Sequence, residues 1–175
     1  MQKHKQAAEV QTARHHIPLT ETQLSQILAM TEKDPTLSDV HDVVTMIIAT
    51  GMRVREIRDL RWVDVDFAQR EITIKPGTPD ARTIPLGDQA RSALEKLQRH
   101  EPQAECVLGT SPQRLLNRVS RQLATISKVV GGDRVSYQTL RRIFAVHLFN
   151  AGTDICSVMR IMGYKVQCIE KVTIL

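Results

Sequence analysis

The sequence predicts an α+β domain, mainly helical, with a small three-stranded antiparallel sheet. Three observations lead there. Apolar residues recur at helical spacing before residue 60 and again after residue 87. Between those stretches the period drops to two. Inside the period-two region, Pro76-Gly77-Thr78-Pro79-Asp80 supplies the residues of a turn. At 175 residues and 42% apolar content, the chain suits one domain with a real core.

The elements follow in order. Residues 1–18 have no sustained period and end in Ile17-Pro18, so they read as a linker or the tail of something upstream. Thr20 and Gln23 form the two halves of a capping box, and Leu19 can staple the helix start. Leu24, Ile27 and Leu28 then make an apolar face. A second helix begins near Ser38-Asp39 and carries Val40, Val43, Val44, Ile47 and Ile48 to Thr50-Gly51, where glycine suits a left-handed stop. A short helix follows from Val54 to Leu60. Trp62, Val63, Val65 and Phe67 suggest one strand, Ile72 and Ile74 a second, and Thr83-Ile84-Pro85 a third. Helical spacing returns with Ala90, Leu94 and Leu97. It continues through Leu115, Val119, Leu123, Ile126 and Val130 to Gly131-Gly132. A further helix starts at Ser136 and bears Leu140, Phe144, His147 and Leu148. A last short one bears Ile155, Val158, Met159 and Met162 and stops at Gly163. Residues 169–175 are short and apolar, and no internal repeat is present.

Composition narrows the function classes. The net charge is +5, compatible with a polyanion partner but weak evidence alone. Aromatic content is 3%, so aliphatic residues must fill the core. Cys106, Cys156 and Cys168 are odd in number and far apart, which argues against a zinc site or a disulfide framework. The N-terminus is polar and has no signal-peptide pattern. The longest apolar-rich run, Val43 to Ala49, is too short to span a bilayer. A cytoplasmic protein with no membrane role, no cofactor and no metal is expected.

Several residues draw attention as chemistry. Arg53 follows a helix stop in a loop. It is either an arginine aimed at a ligand or an ordinary solvated one. Arg141 borders the apolar face of its helix, and a partly buried arginine must be paired or must bind an anion. Glu56 stands three residues after Arg53. It either orients that arginine or makes a surface ion pair of about 0–1 kcal/mol.

These residues lie in strings with a familiar order. Thr50-Gly51-Met52-Arg53-Val54-Arg55-Glu56-Ile57-Arg58-Asp59-Leu60-Arg61-Trp62 resembles the first box of the tyrosine recombinases, the phage-integrase family. Asp64 to Phe67 and Ala81-Arg82-Thr83-Ile84-Pro85-Leu86 resemble the hairpin that follows. Leu140-Arg141-Arg142-Ile143-Phe144-Ala145-Val146-His147-Leu148 resembles the second box, and Val158 to Gly163 the stretch before the family's Gly-His pair. The resemblance runs from residue 19 to 175. It implies the tyrosine-recombinase catalytic-domain fold, double-stranded DNA as partner and a homo-oligomer on DNA.

The implied activity is site-specific cutting and rejoining of DNA through a 3′-phosphotyrosine link, without metal or ATP. The resemblance puts Arg53 and Arg141 on the phosphate, where guanidinium forks match the oxygens and stabilise developing charge. A hairpin lysine protonates the leaving 5′-oxygen; its position falls near Gly77, and Lys75 is the nearest lysine.

Three positions depart from the family pattern. The histidine ahead of the second arginine is Gln138, the histidine after Gly163 is Tyr164, and the nucleophile position holds Thr173. A threonine hydroxyl is a poor nucleophile without an activating base. Two readings therefore stay open. One is a recombinase domain that is catalytically impaired, cut short after Thr173 as a fragment, a decayed gene product or an engineered chain. The other is a non-enzymatic DNA-binding or regulatory module that reuses the fold. In a third, minor reading Tyr164 serves as a displaced nucleophile. On any DNA-binding reading, Arg55, Arg114, Arg118 and Lys165 are candidate neighbours of the arginine pair, most of them simply solvated.

Overall fold

The computed structural model of the protein describes residues 19–164 except Pro79, Gly132 and Asp133. Seven α-helices and one three-stranded antiparallel sheet make up this part of the chain. Helix α1 spans Glu21–Lys33, and its capping box forms as expected: Thr20 accepts from Gln23 N, and the Gln23 side chain accepts from Thr20 N. A single 3-10 turn at Pro35–Leu37 leads into α2, Ser38–Thr50.

Helix α2 is the axis of the core. Val40, Val43, Val44, Met46 and Ile47 are fully buried, so apolar side chains surround it on nearly every side. A helix of that kind must be covered all round. The cover comes from α1, α4 (Asp88–His100), α5 (Pro112–Val129) and α6 (Tyr137–Asn150). Gly51 ends α2 at φ +61, and a β-carbon there would lie 2.1 Å from the Phe144 ring. Only glycine satisfies both the left-handed backbone and the close approach of α6.

Helix α3 spans Val54–Asp59. The next segment differs from its expected form. Trp62–Asp64 make a 3-10 turn, and strand β1 is only Val65–Asp66. Aspartates cause this. The Asp64 side chain accepts from Arg61 N, and the Asp66 side chain accepts from Ala68 and Gln69 N, which turns the chain away from the ladder. Val63 consequently points to solvent at 85% exposure. Strands β2 (Glu71–Ile74) and β3 (Arg82–Pro85) pair as a hairpin with Ile72 opposite Ile84, and both isoleucines are fully buried.

Helix α7 (Ile155–Ile161) packs beside α6 and β3. Phe144, Val158 and Met162 form a small satellite core there. Cys106 and Cys156 are half-buried. Cys168 and the apolar residues 169–175 lie outside the described residues. Among the described residues, no helix is long and apolar enough to cross a membrane.

Candidate active site

Three elements distant in sequence meet at the end of α7. Arg53 is the residue just before α3, in extended backbone, so its side chain leaves the helix start rather than packing along it. Its Nη2 donates to Gly163 O at 2.6 Å. Arg141 sits on the inner side of α6 and is 7% exposed. Its two terminal nitrogens donate to Gly51 O and Met162 O. Arg82, on β3, donates through Nε to Ile161 O at 2.8 Å. Three successive carbonyls, those of residues 161, 162 and 163, thus each accept from a different arginine. The C-terminal end of a helix offers unpaired carbonyls and partial negative charge, which suits cations.

Glu56 binds two of these arginines together. Arg82 grips it as a fork, Nη1 to Oε1 at 2.8 Å and Nη2 to Oε2 at 2.7 Å. Arg53 reaches it through its backbone N at 2.8 Å and through Nη1 at 3.2 Å. The Glu56 side chain is 3% exposed. Burial alone would raise its carboxyl pKa; the Arg82 fork and the Arg53 contacts outweigh burial and hold it below the ordinary value. Of the two readings of Glu56, the surface ion pair does not fit: the carboxylate is buried and bonded to both Arg53 and Arg82. Arg82, named at first only as part of the hairpin string, is the residue that sequence reasoning missed.

Tyr164 lies directly after this cluster. Its ring centroid is 5.8 Å from the Arg53 guanidinium carbon and 5.6 Å from that of Arg141, within reach of a cation–π contact with each. The Arg141 guanidinium is pushed below its ordinary pKa by burial and by the charge of Arg53, and a hydrogen bond to Tyr164 works the other way. Every terminal guanidinium nitrogen carries two hydrogens. Each arginine can therefore hold its backbone carbonyl and still present a donor to an anion.

The other expected residues fall as follows. Lys75 follows β2 in left-handed backbone, φ +50. It lines a cleft of about 450 Å³ together with Arg53, Arg82, Arg160 and Tyr164, and it also lines a neighbouring cleft with Arg53 and Arg55. Gln138 stands exposed on the first turn of α6, three residues before Arg141, and lines neither of these clefts. Arg114 and Arg118 line a different cavity, built by the start of α5 and the end of α4. There Arg118 is already paired with Asp39 and with Thr36 O. Of the candidate neighbours among the described residues, Arg55 alone shares one of these clefts with Arg53. Lys165 and Thr173 lie outside the described residues. Tyr137 is turned away, its hydroxyl donating to Leu116 O at 2.5 Å, and burial pushes its phenol pKa up. Among the described residues, no group of three or more His, Cys, Asp or Glu is placed to hold a metal.

Comparison with known proteins accounts for this arrangement. The model of the phage integrase family matches residues 18–169. The chain belongs to the phage integrase family. The tyrosine recombinase XerC of Oceanobacillus iheyensis is 29% identical over 175 aligned residues, which cover 86% of this chain and 56% of the relative. XerC of Staphylococcus aureus is 25% identical over 154 residues, 82% of this chain and 51% of the relative. The chain therefore spans about half the length of the curated relatives it matches.

Among solved structures, the Tn1549 transposon integrase in complex with transposon right end DNA superposes with a TM-score of 0.73. It is 18% identical, over 89% of this chain and 60% of that one. The XerA recombinase superposes at 0.69, with 21% identity, over 85% and 55%. At such identities the likeness establishes the fold. The small antiparallel sheet set among helices is thus the phage integrase catalytic-domain architecture. Gly163 carries a local reason of its own: its φ is +71, and a β-carbon there would lie 2.8 Å from the Arg82 guanidinium carbon and 3.1 Å from Arg53 Nη1.

Proposed function

We propose that this domain binds double-stranded DNA by a backbone phosphate, as the phosphate-gripping part of a site-specific recombinase or integrase that works on DNA as a homo-oligomer. The observation that carries the reading is the convergence of Arg53 and Arg141 on one side chain, Tyr164, at 5.8 and 5.6 Å. Two guanidinium groups this close repel each other, and a phosphate between them relieves the repulsion. Arg53 and Arg141 hold the non-bridging oxygens. Lys75, on the same cleft as Arg53, is the acid for a leaving 5′-oxygen. Tyr164 donates a hydrogen bond to the phosphate, while Gln138, exposed at the start of α6 and lining neither cleft, takes no part in the grip.

Strand cleavage by this copy is impaired. The nucleophile position is Thr173, whose hydroxyl lacks the acidity of a phenol and needs an activating base. Tyr137 is no substitute, because its hydroxyl is held by Leu116 O. A duplex carrying a nick near the scissile phosphate tests both halves of the proposal. Binding should be salt-dependent, falling steeply as salt rises, with no covalent product surviving denaturant. A denaturant-stable protein–DNA adduct would sink the impairment; absence of binding even at low salt would sink the DNA reading.

A further inference from the structure

Arg82 lies in the cleft wall but donates to no open space: its three nitrogens are spent on Glu56 and on Ile161 O. Its side chain is 9% exposed, against 42% for Arg53. The carboxylate it grips is saturated. An ionised carboxylate has about four acceptor sites, and Glu56 receives four bonds, two from Arg82 and two from Arg53. The division is unequal. Arg82 takes the paired-fork geometry at 2.7 and 2.8 Å, the strongest arrangement open to these groups. The Arg53 head keeps a single longer contact of 3.2 Å.

Building on the phosphate-binding reading, we infer that Arg82 is a positioning residue: by occupying both oxygens of Glu56 it keeps the Arg53 guanidinium available to an anion. The physical alternative is plain. With Arg82 gone, Glu56 is a buried carboxylate with one cation within reach, and a buried charge takes the best partner it has. Arg53 then turns its fork onto Glu56, its charge is cancelled locally, and it leaves the cleft. Arg82 thus acts on phosphate binding without touching phosphate. It also joins the hairpin that carries Lys75 to the helix start that carries Arg53 and to the end of α7, so one side chain sets the spacing of three elements.

The test compares the parent chain with Arg82→Gln and with Arg82→Gln/Glu56→Gln, using a short duplex across a salt series. Arg82→Gln should weaken duplex binding about tenfold, the worth of one charge-assisted hydrogen bond. It should also make the salt dependence shallower by about one phosphate contact. The double variant should regain the parent's slope, because the carboxylate that captured Arg53 is gone. A double variant as weak as Arg82→Gln would overturn the inference, since a direct phosphate ligand or a purely structural residue is not rescued that way. If Arg82→Gln does not fold, Arg82→Lys decides: it keeps the charge beside Glu56 but loses the two-oxygen fork, so duplex binding should still weaken, and binding as tight as the parent's refutes the idea.

A second readout needs no DNA. Rotation of a guanidinium slows when a carboxylate grips it as a fork. In nuclear magnetic resonance spectra, slowed rotation should belong to Arg82 in the parent and pass to Arg53 in Arg82→Gln. An Arg53 that rotates as freely as before would refute the inference even if duplex binding failed in every chain, an outcome that would count separately against the phosphate reading.

Discussion

Replacing Gly51 by alanine tests how tightly the second arginine's platform is built. Two costs add at this position. The backbone is left-handed at φ +61, and an L-residue with a β-carbon pays about 1–2 kcal/mol to stay there. The new methyl also meets Phe144, with ring carbons at 2.1, 2.8 and 2.9 Å. Phe144 is 8% exposed and packs against Val158 and Met162, so the ring has little room to retreat. Overpacking of this kind costs about 1–3 kcal/mol. Gly51→Ala should therefore lose about 2–5 kcal/mol, a large share of the 5–15 kcal/mol typical of a domain. Urea denaturation reads the loss as a lower midpoint with an unchanged slope. Gly131→Ala is the internal control: φ there is +69, but nothing lies within 4 Å of the added carbon. It should cost only the backbone share, about 1–2 kcal/mol. Equal losses at the two glycines would refute the claim that the Phe144 contact makes Gly51 obligatory.

Three further outcomes are expected. Glu56 has its pKa below the ordinary 4.5, so its contribution is fully present above that pH and is lost as the pH falls through the folded-state value; in melting experiments the stability gap between the parent and Glu56→Gln should close on acidification, and a gap that persists or widens would contradict the ion-pair network. Thr20→Ala should cost about 0.5–2 kcal/mol by removing the capping box of α1, and thermal melts showing no loss would mean the cap contributes nothing. Ile47, fully buried on α2, should cost about 2–5 kcal/mol when truncated to alanine, and a smaller loss by denaturant titration would mean that the axis helix is less tightly covered than it looks.

The helices were readable because each announces itself locally. Thr20 and Gln23 cap α1 from three residues apart, and Gly51 stops α2 where the apolar spacing ends. The strand expected over Trp62 to Phe67 misled for a local reason too: period two also fits a 3-10 turn followed by a two-residue strand, and the deciding signal was the pair Asp64 and Asp66, whose side chains cap backbone N–H groups. In the site, the arginine pair was legible because its two members stand in recognisable strings. Arg82 was not, because its partner Glu56 is 26 residues away and an arginine on a short hairpin usually faces water. Arg114 and Arg118 were placed near the pair on charge alone, and charge carries no information about which cavity a helix faces.

The row of carbonyls at residues 161, 162 and 163 has a meaning beyond the chemistry of any single reaction. Each is held by an arginine sent from a different part of the chain. The same side chains that would meet an anion also finish the last turn of α7 and tether it to α3, β3 and α6. Loss of any one of the three arginines unties part of that tether. Selection on folding alone would then keep Arg53, Arg82 and Arg141 in place as masonry, whatever chemistry is asked of them.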